Sequence, residues 1–216
     1  MIGFDFSKEP VTLEGALTAF TQGYSFATSQ QFAGMVDFAL SSRRVDFLND
    51  LSKSIMQSGV ILNALVVYVP VSTGKLPGGV VLVANVSKFD YSRRGIEALI
   101  QNNSLKGVSS YYVPLRASGK DVLPNEFSFF NALYGPVGCK AVLTFATDSP
   151  VLKTNGHSLL CIPRLDVYDK EVVVAVPFLR VVKNELVLDA TKTVKDKGIA
   201  LGICTRLCCE ILYAPS

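Results

Sequence analysis

The stretch EVVVAVPFLRVV, residues 171–182, constrains the fold more than any other. Apart from Glu171 and Arg180 it is apolar throughout. A strand with one face in water alternates apolar and polar side chains, whereas a strand buried on both faces does not. The stretches VILNALVVYV (60–69) and VVLVANV (80–86) have the same character. SYYVPL, FSFFNALY, AVLTFA, SLLCIP, ELVLDA and ALGICTRLCCEILYA follow at short intervals, punctuated by Pro, Gly, Asn and Asp. Read as strands, these segments predict a mainly β protein: an antiparallel sandwich over residues 59–216 whose sheet faces both need a dry partner.

Composition sharpens that demand. Of 216 residues, 49% are hydrophobic and only 18% charged, with a mean hydropathy of +0.35. Such a chain either enters a membrane or buries its surplus against protein. The longest nearly apolar run, from Gly59 to Val71, is interrupted by Asn63 and falls short of the roughly 20 residues that a spanning helix needs. MIGFDFSKEP lacks a basic region followed by an apolar one, so no export signal is expected. Burial against other subunits, or under a covering arm, is the expectation.

Residues 1–58 read differently. Thr12 is placed to cap a short helix with Leu13, Leu17 and Phe20 on one face. SQQFAGMVDFAL fits both a helix (Phe32, Met35, Val36, Ala39) and a strand (Phe32, Gly34, Val36, Phe38, Leu40); helix is the expectation. Asp46 precedes a third helical pattern carrying Leu48, Leu51 and Ile55, with Gly59 as its stop. The segment is expected to form a helical N-terminal arm. Ser92 is placed to cap one helical insert, RRGIEALIQNN, with Ile96, Leu99 and Ile100 as its stripe. No internal repeat or low-complexity segment is present.

Groups able to do chemistry are sparse. Gly74-Lys75 has the look of a phosphate loop, but no glycine stands five residues earlier, and Leu76 replaces the magnesium-binding hydroxyl. STGKLPGG is better read as the connection of a hairpin between VVYVPV and GGVVLVANV. The one histidine, His157, lies in the turn sequence KTNGHS. Paired with Cys161 or Cys139 it would make a nucleophile-base couple; alone, it is a solvated loop residue. The cysteines, Cys139, Cys161, Cys204, Cys208 and Cys209, are odd in number and lack the paired spacing of zinc sites, so reduced, buried thiols are expected. Asp121, Glu126, Asp166, Asp169 and Glu171 read as turn acids. Asn85 and Asn102 head glycosylation patterns that need secretion to matter. No catalytic, cofactor or metal residue is assigned.

Net charge is +3, too mild to imply nucleic acid by itself. The candidate RNA contacts are the basic pair Arg43 and Arg44, and two clusters of basic and aromatic residues: Arg93 and Arg94 near Phe89 and Tyr91, and Arg116 near Tyr111 and Tyr112.

The order of these pieces resembles a family. FLNDLSKS, then SGVILNALVVYVPV, a glycine-bearing turn, GGVVLVANVSKFD and the helix RRGIEALIQ resemble the front half of a viral β jelly-roll coat protein, nearest the small coat proteins of plant picorna-like viruses. ICTRLCCEILYAPS is similar to the last core strand of such subunits. The resemblance spans residues 45–216. It implies a capsid subunit assembling with copies of itself or sibling subunits into an icosahedral RNA virus shell. Its place would be the virion, and the host cytoplasm before assembly. The basic arm common in such proteins is missing here. A second resemblance is to the plant-virus movement proteins of the thirty-kilodalton superfamily. These show a proline after one strand, a glycine before the next and an aspartate beyond it. Pro70, Gly79 and Asp90 can fill those places, and the later Asp121-Val122-Leu123-Pro124 matches loosely. The chain departs from that family where SKF sets Asp90 back from the strand end, and in lacking its basic character and polar tail. That resemblance implies binding of single-stranded RNA for cell-to-cell transport.

Overall fold

A computed structural model describes residues 3–21, 23–69, 79–84, 86, 110–114, 126–149, 152, 159–161, 173–182 and 184–204. The elements begin with β1 (Phe4–Phe6), α1 (Leu13–Thr18), β2 (Tyr24–Phe26), α2 (Ser29–Ser41) and α3 (Val45–Gln57). Then come β3 (Val60–Ile61), β4 (Ala64–Val69), β5 (Gly79–Ala84), β6 (Ser110–Pro114) and α4 (Glu126–Asp148). The last are β7 (Leu159–Cys161), β8 (Val173–Val182), β9 (Glu185–Lys192) and β10 (Leu201–Cys204).

The helices start where the sequence offers caps. The Thr12 hydroxyl accepts from the Gly15 amide at 3.1 Å and opens α1. For α2 a reciprocal pair decides between helix and strand: Thr28 Oγ1 accepts from the Gln31 amide, and Gln31 Oε1 accepts from the Thr28 amide. Phe32, Ala33, Met35, Val36 and Ala39 then form one buried stripe. Helix α3 buries Phe47, Leu51 and Ile55 and ends before Gly59, whose φ of +75° suits a glycine.

Two sheets form. The larger has the order β6-β5-β4-β8-β9-β7, with β3 also paired to β8. Its pairs are antiparallel except β7 with β9. VVYVPV and GGVVLVANV are neighbours as expected, with Ala64 opposite Ala84 and Val69 opposite Gly79. The apolar run at 60–69 forms two strands that pair with β8 on either side of Pro177, where β8 is continuous but irregular. Pro177 has no N–H for a ladder, and the β8–β9 register shifts between Val176 and Phe178. The Pro177 carbonyl instead accepts from the Leu62 amide at 3.1 Å. The smaller sheet is antiparallel in the order β1-β10-β2.

The described side chains of β4, β5 and β8 are covered on both faces of the sheet by other parts of the chain. On one face Val66, Leu82, Ala175 and Leu188 share a core with Phe32 and Val36 of α2, Leu51 of α3 and Phe145 of α4. On the other, Leu65, Val67, Val83, Val176 and Phe178 pack with Leu13 and Ala16 of α1, Phe26 of β2 and Ala200. Successive residues of β4 thus enter opposite cores, which is why this strand has no polar face.

Three expectations change. Residues 1–58 do not form an arm: β1 and β2 flank β10, and α2 and α3 fill the main core. FSFFNALY and AVLTFA are helical, as the two halves of α4, which bends at Gly135 with φ 74° and ψ 163°. Only glycine tolerates that conformation, and Pro136 then occupies the first turn of the second half, where its missing N–H costs nothing. The fold is therefore a mixture of antiparallel sheets and helices. The insert near Ser92 and the loop STGKLPGG lie outside the described residues.

Candidate functional site

Of the candidate RNA contacts, Arg43 and Arg44 are described; Arg93, Arg94 and Arg116 lie outside the described residues. Arg44 is already engaged. Its Nε and Nη2 donate to the two Asp46 carboxylate oxygens at 2.9 and 2.6 Å. Its guanidinium also lies 5.6 Å from the centre of the Phe4 ring. The forked bond holds the Asp46 carboxyl at about 2, well below its ordinary value. Phe4 is in turn edge-on to Phe47, 4.9 Å away, so this arginine belongs to the seam between β1 and α3. Arg43 is exposed in the corner between α2 and α3, with φ 53°.

The nucleophile-base couple gains no support. His157, Cys208 and Cys209 lie outside the described residues. Cys139 is buried on α4, and desolvation pushes its thiol up, the reverse of activation. Cys161 is in β7 with its Cα opposite Asp189. Among the described residues no group of three His, Cys, Asp or Glu side chains could hold a metal ion. No helix among them is long and apolar enough to cross a membrane.

A buried charge pair joins β8 to β9. Asp189 is 1% exposed. Its Oδ1 accepts from the Thr191 amide and hydroxyl at 2.9 and 2.6 Å. Arg180 Nη2 stands 2.5 Å from the other oxygen. This is a charge contact more than an aligned hydrogen bond: neither that oxygen nor the buried Arg180 Nε has a hydrogen-bond partner among the described residues. The pair links the two strands, with the carboxylate buried and the Arg180 side chain partly exposed.

The surface cations that sequence reasoning missed are on the turn after β9. In KTVKDK, Lys195 and Lys197 are exposed and Lys192 is half-buried, while Val194 packs against the α1-side core. The one acid among them, Asp196, accepts from the Thr193 amide and hydroxyl at 2.7 and 2.9 Å. Those bonds lower its pKa and tie it to its own turn. The lysines make no ion pair among the described residues. Lys195 and Lys197 present their charge to solvent, where phosphate could meet it, while the charge of Lys192 at the end of β9 acts on Asp196. The signal was present as KTVKDK, but three separated lysines do not form a run.

A groove of about 670 Å³ lies before the smaller sheet, lined by Asp5, Lys8, Glu9, Phe20 and Tyr24 among others. Phe20 presses on Gly202, where a Cβ would stand 2.4 Å from the ring. The Tyr24 hydroxyl lies over Gly3, 2.9 Å from where a Cβ would be.

Comparison with protein-family models, with curated proteins and with solved structures finds no match to this chain.

Proposed function

We propose that this chain is a non-enzymatic viral movement-type protein that binds single-stranded RNA through backbone contacts. The observation that carries the reading is the hairpin of β4 and β5. β4 ends at Val69, directly before Pro70, and β5 opens at Gly79, opposite Val69. A proline thus follows one strand and a glycine heads the next, an order similar to that of the thirty-kilodalton superfamily. Asp90 and Asp121–Pro124 lie outside the described residues. The lysine turn supplies cations for phosphate, and the internal burial of both sheet faces lets the chain act without a permanent shell around it.

The coat-subunit reading is favoured by a different observation. Helix α3 runs through Gly59 into β3 and β4 and then across a turn to β5, within two largely antiparallel sheets. A jelly-roll strand order belongs to this second reading. Apolar faces that need neighbours would support it further, but the described faces of the central strands are covered within the chain.

Titrating a fluorescent 40-nucleotide RNA, single-stranded or duplex, across a salt series tests the proposal. Preferential single-strand binding is expected. Replacing Lys192, Lys195 and Lys197 by Gln should reduce the slope of log affinity against log salt by about 2, since each lost single-strand phosphate contact is worth ~0.7. A fluorescent fusion should also gather at plant cell junctions. Absence of RNA binding at low salt, together with regular particles in electron micrographs, would favour the coat subunit instead.

A further inference from the structure

We propose that the groove before the smaller sheet is a docking site for an arginine-bearing peptide segment of a partner protein. Its volume of about 670 Å³ is within the usual range for ligand sites. Its walls are preformed. Ser7 donates its amide to the Ala200 carbonyl at 2.9 Å, accepts the Ala200 amide on its hydroxyl at 3.0 Å, and donates that hydroxyl to the Glu9 carbonyl at 2.9 Å. Phe20 and Tyr24 are held against Gly202 and Gly3, and both are half-buried, so ring surface is offered to the groove.

Charge selects the occupant. Asp5 and Glu9 are exposed carboxylates on the groove, with no ion pair among the described residues, and Lys8 is the one cation beside them. Among the described lining residues, two carboxylates against one ammonium disfavour phosphate. A guanidinium satisfies both features of the lining. Its flat face stacks on an aromatic ring, and its forked N–H groups match a carboxylate. An extended segment carrying such a side chain fits an open groove better than a compact molecule does.

A fluorescein-labelled Gly-Arg-Gly-Arg-Gly peptide titrated into the full chain, followed by anisotropy, tests this, with Glu in place of Arg as the control. The arginine peptide should bind and the glutamate peptide should not. The double change Asp5→Asn with Glu9→Gln should weaken binding about tenfold, the scale of a charge-assisted contact. Lys8→Gln should tighten it. Because these side chains are exposed, thermal unfolding should not move, which separates lost docking from lost folding. Equal binding of both peptides, or unchanged binding by the folded double variant, overturns the proposal. Wild-type self-association that the double variant abolishes also overturns it, because it assigns the groove to a second copy.

Discussion

Arg44 and Arg43 are adjacent in the chain but differ in what they are free to do. Arg44 bridges Asp46 and the Phe4 ring, whereas Arg43 points to solvent from a left-handed corner. Sequence gave them one role, because an arginine's partner two residues away is visible only once the helix start is built. The bond has a pH signature. Asp46 is depressed in the folded state, chiefly by the hydrogen bond from Arg44, so its contribution to stability is fully present above the ordinary carboxylate value. It is lost as pH falls through about 2. An NMR titration of the Asp46 side chain should give a midpoint of about 2 in the native protein. In Arg44→Gln the midpoint should rise toward the ordinary value of 3.8. An unchanged midpoint would show that the helix N-terminus, not the arginine, holds the charge. The lysine turn was similarly hard to read: its cations were legible, but the capture of Asp196 by Thr193 was not.

Helix α4 shows which elements the sequence hides. Strands β4, β5, β8 and β9 were legible because β-branched residues and turn signals agree there. FSFFNALY and AVLTFA carry the same apolar density, and apolar runs this short do not distinguish a helical period from a strand period. The Gly135-Pro136 pair, which looks like a turn between strands, is a bend inside a helix. What holds α4 in place is close approach to α2: a Cβ added at Gly138 would stand 2.5 Å from the Ala33 Cβ. Gly138→Ala should therefore destabilise the protein by ~1–3 kcal/mol, the usual scale of core overpacking. Adding Ala33→Gly should recover part of that loss. A double-mutant cycle in urea measures the coupling. Strict additivity would contradict the direct contact. The Phe32 and Tyr134 rings, 6.3 Å apart, belong to the same seam.

At the scale of the molecule, the apolar faces of the described central strands find their partners inside the chain. The sequence established that the central strands lack a wet face; it did not establish what dries them. Composition is silent on that point, because a helix of the same chain and a strand of a neighbour remove the same area from water. The answer lies in residues 1–58, which supply α2 and α3 to one face and α1 and β2 to the other. Among described residues the large apolar side chains left exposed are Val45, Met56 and Val137. The core formed by the described residues therefore needs no neighbouring subunit to complete it.

Amide hydrogen exchange, measured at a dilution where the protein sediments as a single chain of 23.3 kDa, tests this most directly. The amides of β4, β8 and β9 should be the slowest in the molecule, and α1 and α2 should be protected along with them. Rapid exchange across β4 and β8 in the single chain, slowing only on assembly, would contradict it.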